Sequence, residues 1–433
     1  MEKKQYAQKL LTFLDNAPSP YQSVDLLSAM LDEAGAVKLE EFGVWSLEAG
    51  KLYYFVKDGT QIMAFHLGSE PLAETGFRMA SAHHDYPGLR IKPAGSSVEL
   101  NFERLSVEGY GGVVTRGWFD RPLAVAGRLF VKAEGGVKSV NVNLHEPLLI
   151  IPSPAIHIDR TINENAKVSM NTDMRPVFCL NEGGEKSFIP YLAERVGVKA
   201  EDVLSFELNP YEYQPGCFVG KDEEFISTGR LDDVALSYAA FCGLLEAKES
   251  KYSCIAVAYD HEEIGSASTR GARSNSLMMT IDRICEKLGM SAEDKYRTIA
   301  NSVMFSADQA HATHPAHVDK ADPNHKIALN KGPVLKVAQY QSYATSPRGT
   351  AIFKWVCENN GIPYQVFTNH SDARGGGTIG PVLASAHGMT TVDIGNPMLG
   401  MHAIRELGGT DDHYYMVKLF KALFETDLSV IGR

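Results

Sequence analysis

From Asp232 to the end of the chain, helical patterns alternate with short runs of buried-strand character. This alternation constrains the fold more than any other feature of the sequence. Segments 232–247, 274–288, 350–359, 380–387 and 411–425 read as helices, and 253–259, 302–306, 363–368 and 390–394 read as strands. Such an alternation predicts an α/β sheet covered by helices on both faces. The first ninety residues fit the same layer. Tyr6, Leu10, Phe13 and Leu14 make one helical stripe that ends at Pro18-Ser19-Pro20, and a second amphipathic stretch covers 21–34. Segments 51–56 and 61–67 flank Lys57-Asp58-Gly59-Thr60 as a hairpin, and 77–82 is a strand running into His83.

Between about 91 and 224 the texture changes. Short strand-like pieces (96–102, 127–132, 138–143) are separated by turn residues, with one helical stretch at 188–196. Gly109-Tyr110-Gly111-Gly112 has no helical period and reads as a turn or a tight backbone approach. The simplest parse is one α/β domain, 1–92 with 226–433, interrupted by a β-rich insertion, 93–225. A formal net charge of −11, with no Lys/Arg-rich run, argues against nucleic acid and anionic membrane as partners. The most apolar run, 147–156, is short and broken by prolines, so no membrane span is expected. The N-terminus lacks the apolar core of a secretory signal, and the six scattered cysteines form no CxxC pair. Both features predict a cytoplasmic protein with reduced thiols.

Four clusters of histidines and carboxylates fall near the ends of these elements. Ala82-His83-His84-Asp85 follows the first-domain strand, and if the strand continues, His83 and Asp85 share a face. Arg230-Leu231-Asp232-Asp233 stands at a helix start, where an aspartate also serves as an N-cap. Asp260-His261-Glu262-Glu263 directly follows a buried strand, where ligands usually bind in α/β folds. Position 265 is Gly, so this is not the HExxH motif. Ser306-Ala307-Asp308 with His311 and His314 follows another strand, and His402 lies near the C-terminus. Taken singly, each admits a plain reading as a turn, a cap or a satisfied histidine. Taken together, two histidines and three carboxylates, one of them bridging, suit two zinc ions about 3.5–4 Å apart.

These clusters, in this order over nearly the whole chain, resemble the aspartyl aminopeptidase family of dinuclear metallopeptidases. The resemblance extends to Tyr110-Gly111-Gly112, Trp118-Phe119-Asp120-Arg121 and Ala126-Gly127-Arg128, similar to the family's dimerisation domain. Pro154-Ala155-Ile156-His157 is similar to the segment whose histidine reaches a neighbouring subunit's site. The resemblance implies a metal-dependent aminopeptidase that removes the first residue of peptides with a free N-terminus and prefers an acidic one. It implies His83, Asp232, Glu263, Asp308 and His402 as ligands of two zinc ions, with cobalt or manganese as alternatives, and Asp232 as the bridge. It implies Glu262 as the base, Asp85 as the group orienting His83, and His157 from another subunit as an oxyanion donor. It further implies a homo-oligomer, a tetrahedral dodecamer built from dimers. His84, Tyr86, Asp233, Ser342, Gly375 and Gly377 depart from the family's usual residues, while Lys336 and Arg374 are cations able to face an acidic side chain. The alternatives are a deacylase or neutral-residue aminopeptidase of related architecture, and a self-assembling shell without catalysis.

Overall fold

The computed structural model describes residues 2–164, 167–247, 249–373 and 375–428. Its centre is a nine-stranded sheet. Arg78–His83 lies in the middle, between Cys254–Tyr259 and Val303–Ala307, and pairs in parallel with both. Thr390–Gly395 continues the parallel run beside Val303–Ala307. The hairpin Leu52–Lys57/Gln61–His66 forms as the sequence predicts and joins the sheet antiparallel to Cys254–Tyr259.

Both faces of this sheet are covered, as its strands require. Neighbouring residues along a strand point to opposite sides. Ala80, Ala82, Ala256 and Ala258 enter one core with helices Glu2–Asn16, Leu236–Glu246 and Asp412–Glu425. Met79, Phe77, Ile255 and Val257 enter a second core with helix Ser276–Lys287. Small residues on the first face let those helices sit close. At Gly243 a β-carbon would lie 2.5 Å from Phe420 Cβ, so only glycine allows this crossing.

Strands from Gly88–Glu99 to Val203–Glu212 build two small antiparallel sheets. Gly88–Glu99, Phe102–Tyr110 and Val177–Leu180 form one, and Leu123–Ala133, Gly136–Asn143 and Val203–Glu212 form the other. They share a separate apolar core around Leu105, Leu129, Phe188 and Leu208. Strand Gly88–Glu99 crosses position 92, and its pairing with Phe102–Tyr110 shifts register between Ile91 and Ser96. A five-stranded sheet, with Phe225–Thr228 against Glu406–Gly409, closes the side beneath Asp232.

Helix Asp412–Glu425 carries a buried liability. The His413 ring is 2% exposed, stacks on Tyr238 with centroids 5.5 Å apart, and has no hydrogen-bond partner on either nitrogen among the described residues. Burial pulls its pKa down from 6.5 to about 3. Below pH 6.5 the unfolded chain therefore gains a proton that the folded chain refuses, and stability falls with pH across that window. Between pH 6.5 and 5 this group alone removes about 2 kcal/mol. His413→Phe is expected to flatten the pH dependence of urea unfolding by that amount. Equal slopes for the two proteins would contradict this account.

Candidate functional site

Each cluster read from the sequence sits at or just past an element end on one side of the sheet. His83 is the last residue of its strand, and Glu262 and Glu263 lie in a short turn after Cys254–Tyr259. Asp308 immediately follows Val303–Ala307, and His402 stands in a left-handed turn between two strands of the five-stranded sheet. The strand does not persist through Asp85 as expected, because it stops at His83. The pair still meets, with His83 Nδ1 3.4 Å from Asp85 Oδ1. The helix expected from 232 begins only at Leu236. Residues 231–235 are an irregular turn in which the Asp232–Asp233 peptide is cis, so neither aspartate is a helix cap.

Both imidazoles are held with one nitrogen free to face the centre. His83 Nδ1 donates to the Asp85 carbonyl oxygen at 3.1 Å, and His402 Nδ1 donates to the Gly112 carbonyl oxygen at 3.0 Å. Each bond fixes a tautomer and leaves Nε2 as a lone-pair donor. The two Nε2 atoms approach different oxygens of one carboxylate: His83 lies 3.7 Å from Asp232 Oδ1, and His402 lies 3.3 Å from Asp232 Oδ2. Donor atoms of His83, Asp232 and Asp308 fall within 4.8 Å of one another, and so do those of Asp232, Glu263 and His402.

The electrostatics call for added positive charge. Among the described residues, Asp85, Asp232, Asp233, Glu262, Glu263, Asp308 and Glu406 converge here against Lys336 as the permanent cation. Burial, together with Asp308, Asp85 and Asp232, raises Glu262 to about 7. Burial and Asp232 raise Glu263 to about 10. At His83 burial opposes the charged form, but Asp85, Asp233 and Glu262 overcome it and raise its pKa. Asp85 behaves oppositely. Burial works against its charge, yet His83, Tyr110 and the Glu263 amide hold it down at about 2. Asp232 Oδ1 is buried with no hydrogen-bond donor among the described residues. An unpaired carboxylate oxygen among facing imidazole lone pairs fits a divalent cation, since buried charges are paired or coordinate metals.

The Aminopeptidase I zinc metalloprotease (M18) family model matches residues 13–424. The chain belongs to the M18 family of aminopeptidases. It is accordingly a zinc metallopeptidase, a hydrolase that removes N-terminal residues. A probable M18 family aminopeptidase 2 from Clostridium novyi (strain NT) is 39% identical over 428 residues, covering 98% of this chain and 99% of that one. Ape4, solved by cryo-EM in a complex with Nbr1, superposes with a TM-score of 0.94 at 33% identity, covering 98% and 86% of the two chains. The mApe1 dodecamer from S. cerevisiae superposes with a TM-score of 0.87 at 29% identity, covering 100% and 99%.

In this M18 chain a cavity of about 370 Å³ opens over the cluster, lined by His83, Asp232, Glu262, Glu263, Asp308, Lys336, Tyr343 and His402 among others. His157 is not among its lining residues. It is exposed, on an irregular segment of the insertion. Of the departures from the family pattern, Gly377 lines the cavity, while His84 and Tyr86 are engaged elsewhere. His84 is bound by Ser23 and Thr60, and the Tyr86 hydroxyl donates to the Pro18 carbonyl. Arg374 lies outside the described residues. The sequence did not single out Glu406, whose two oxygens accept from the Asp232 and His402 amides at 3.1 and 2.9 Å. Its place in Ile404-Arg405-Glu406 beside His402 was the only signal. No helix among the described residues is long and apolar enough to cross a membrane.

Proposed function

We propose that the cluster binds two zinc ions bridged by Asp232 and cleaves the first peptide bond of substrates with a free amino terminus. The observation that carries this is the split approach to Asp232, one imidazole to each carboxylate oxygen. His83 and Asp308 would hold one ion and Glu263 and His402 the other, with cobalt or manganese able to replace zinc. Bound zinc supplies a Lewis acid for the scissile carbonyl and lowers the pKa of water to about 7. Asp85 orients the His83 ring and holds the amides of Glu262 and Glu263 at 3.0 and 3.1 Å. Glu262 takes the proton from the attacking water and delivers it to the leaving amine. Burial raises its affinity for a proton, which suits both transfers near neutral pH.

The reading extends to selectivity and assembly. Lys336 lines the cavity, and its charge persists because Asp308, Tyr343 and Asp393 outweigh the effect of burial. It is the group that would favour an acidic first residue. A neutral preference is the second reading, because Lys336 already lies 3.3 Å from Asp308. The β-rich insertion, residues 93–225, is the oligomerisation unit of a dodecamer like that of mApe1. Within it, His157 serves a neighbour's site as an oxyanion donor. His157→Ala is expected to lower kcat by about tenfold or more without changing zinc content; unchanged kinetics would remove it from the site.

A panel of Asp, Glu, Leu and Ala p-nitroanilides, with and without chelator, tests the class and the preference together. Zinc-dependent release from free-amine substrates is expected, fastest for Asp and Glu. Faster release of Leu or Ala would establish the neutral reading. No release by fully metallated protein would point to a deacylase or an inactive shell.

A further inference from the structure

One short segment of the insertion touches three separate groups of the cluster. Strand Phe102–Tyr110 ends with the Tyr110 hydroxyl donating to Asp85 Oδ2 at 2.7 Å. Gly111 follows in the left-handed region, φ 68°, and a β-carbon there would lie 3.0 Å from Glu263 Cβ and 3.2 Å from Glu263 Oε2. The Gly112 carbonyl fixes the His402 ring, and the Val114 amide donates to the His402 carbonyl at 3.1 Å. Gly111 is favoured by its positive φ and its close approach to Glu263, and the turn read from the sequence lies directly against the site.

We propose that Tyr110 is a positioning residue through which the inserted domain sets the geometry of catalysis. Its ring is buried and capped by the Arg90 guanidinium, 4.2 Å from the centroid. Arg90 is in turn held by Asn209 Oδ1 at 2.8 Å, from the inserted strand Val203–Glu212. The hydroxyl is thus anchored by two inserted strands and aimed at one oxygen of Asp85. That carboxylate also receives the Glu262 and Glu263 amides and faces His83 Nδ1. Four groups converge on two oxygens, and loss of the Tyr110 bond leaves Oδ2 with the Glu263 amide as its remaining partner here, so the carboxylate shifts within the site. The base and the ring it orients then lose their register. An error of a few tenths of an ångström at a proton-transferring carboxylate lowers turnover more than binding. The inference rests on the roles given above to Asp85 and Glu262. It adds that a residue outside the catalytic domain, touching neither substrate nor zinc, governs kcat.

Tyr110→Phe tests this, because the ring and its Arg90 contact remain and only the hydroxyl is lost. The expected result is a kcat roughly ten- to a hundredfold lower, with KM and zinc content unchanged. Because Tyr110 acts through Asp85, adding Tyr110→Phe to Asp85→Asn is expected to lower kcat no further than Asp85→Asn alone. Full kcat in Tyr110→Phe alongside a crippled Asp85→Asn would overturn the positioning role and leave the underlying reading intact. A fully active Asp85→Asn would instead overturn the reading on which the inference rests. Multiplicative losses in the double variant would show that Tyr110 acts by another route, which also contradicts the proposal.

Discussion

In Asp232→Ala, both zinc ions are expected to be lost together and hydrolysis to fall by at least four orders of magnitude. Asp232 faces His83 through one oxygen and His402 through the other, and groups with Asp308 on one side and Glu263 on the other. Without it, each site keeps only two protein ligands, fewer than the three that a catalytic zinc usually has. Loss of the Lewis acid is worth several kcal/mol of transition-state stabilisation, on the order of 10⁴-fold in rate. Elemental analysis of the purified variant beside its kcat/KM checks both halves. Two tightly held zinc ions in Asp232→Ala would end the bridging assignment.

Glu262→Gln separates chemistry from metal binding. The amide keeps the size and leaves the proposed ligands in place, but it cannot accept a proton. Turnover is expected to fall by about 10²- to 10⁴-fold, with zinc content and KM close to those of the parent. The loss is expected at every pH, since no protonation state of glutamine restores the base. A variant that stays fully active would show that another group takes the proton. Loss of zinc from it would move Glu262 into the ligand set, consistent with the approach of its carboxylate to His83 and Glu263.

The sheet was legible because its strands are nearly uninterrupted apolar runs, such as 253–259, and each is followed by helical periodicity. The cluster was legible for a related reason. Ionisable residues that directly follow a buried strand have few places to go except the mouth of the fold. Helix Ala292–Asn301 escaped notice because Thr298 is its one buried residue, leaving no apolar stripe to read. The turn at 231–235 escaped because Asp232-Asp233 before Leu236 has the composition of a helix start, while Glu406 binds the Asp232 amide from 174 positions away. Tyr110 shows the same limit. Its glycine-rich surroundings mark a close approach, but nothing local reveals that the approach is to Asp85 and Glu263. Sequence pattern locates groups that lie at element ends. It does not show which distant backbone groups hold them still.

The central claim is that two zinc ions act together on a free amino terminus. Titrating chelated protein with zinc tests it most directly, following release of the first residue from a peptide and from its N-acetylated twin. The account predicts activity that rises until two zinc ions are bound per chain, on the free-amine peptide alone. A plateau at one zinc per chain, or equal cleavage of the acetylated peptide, would contradict it.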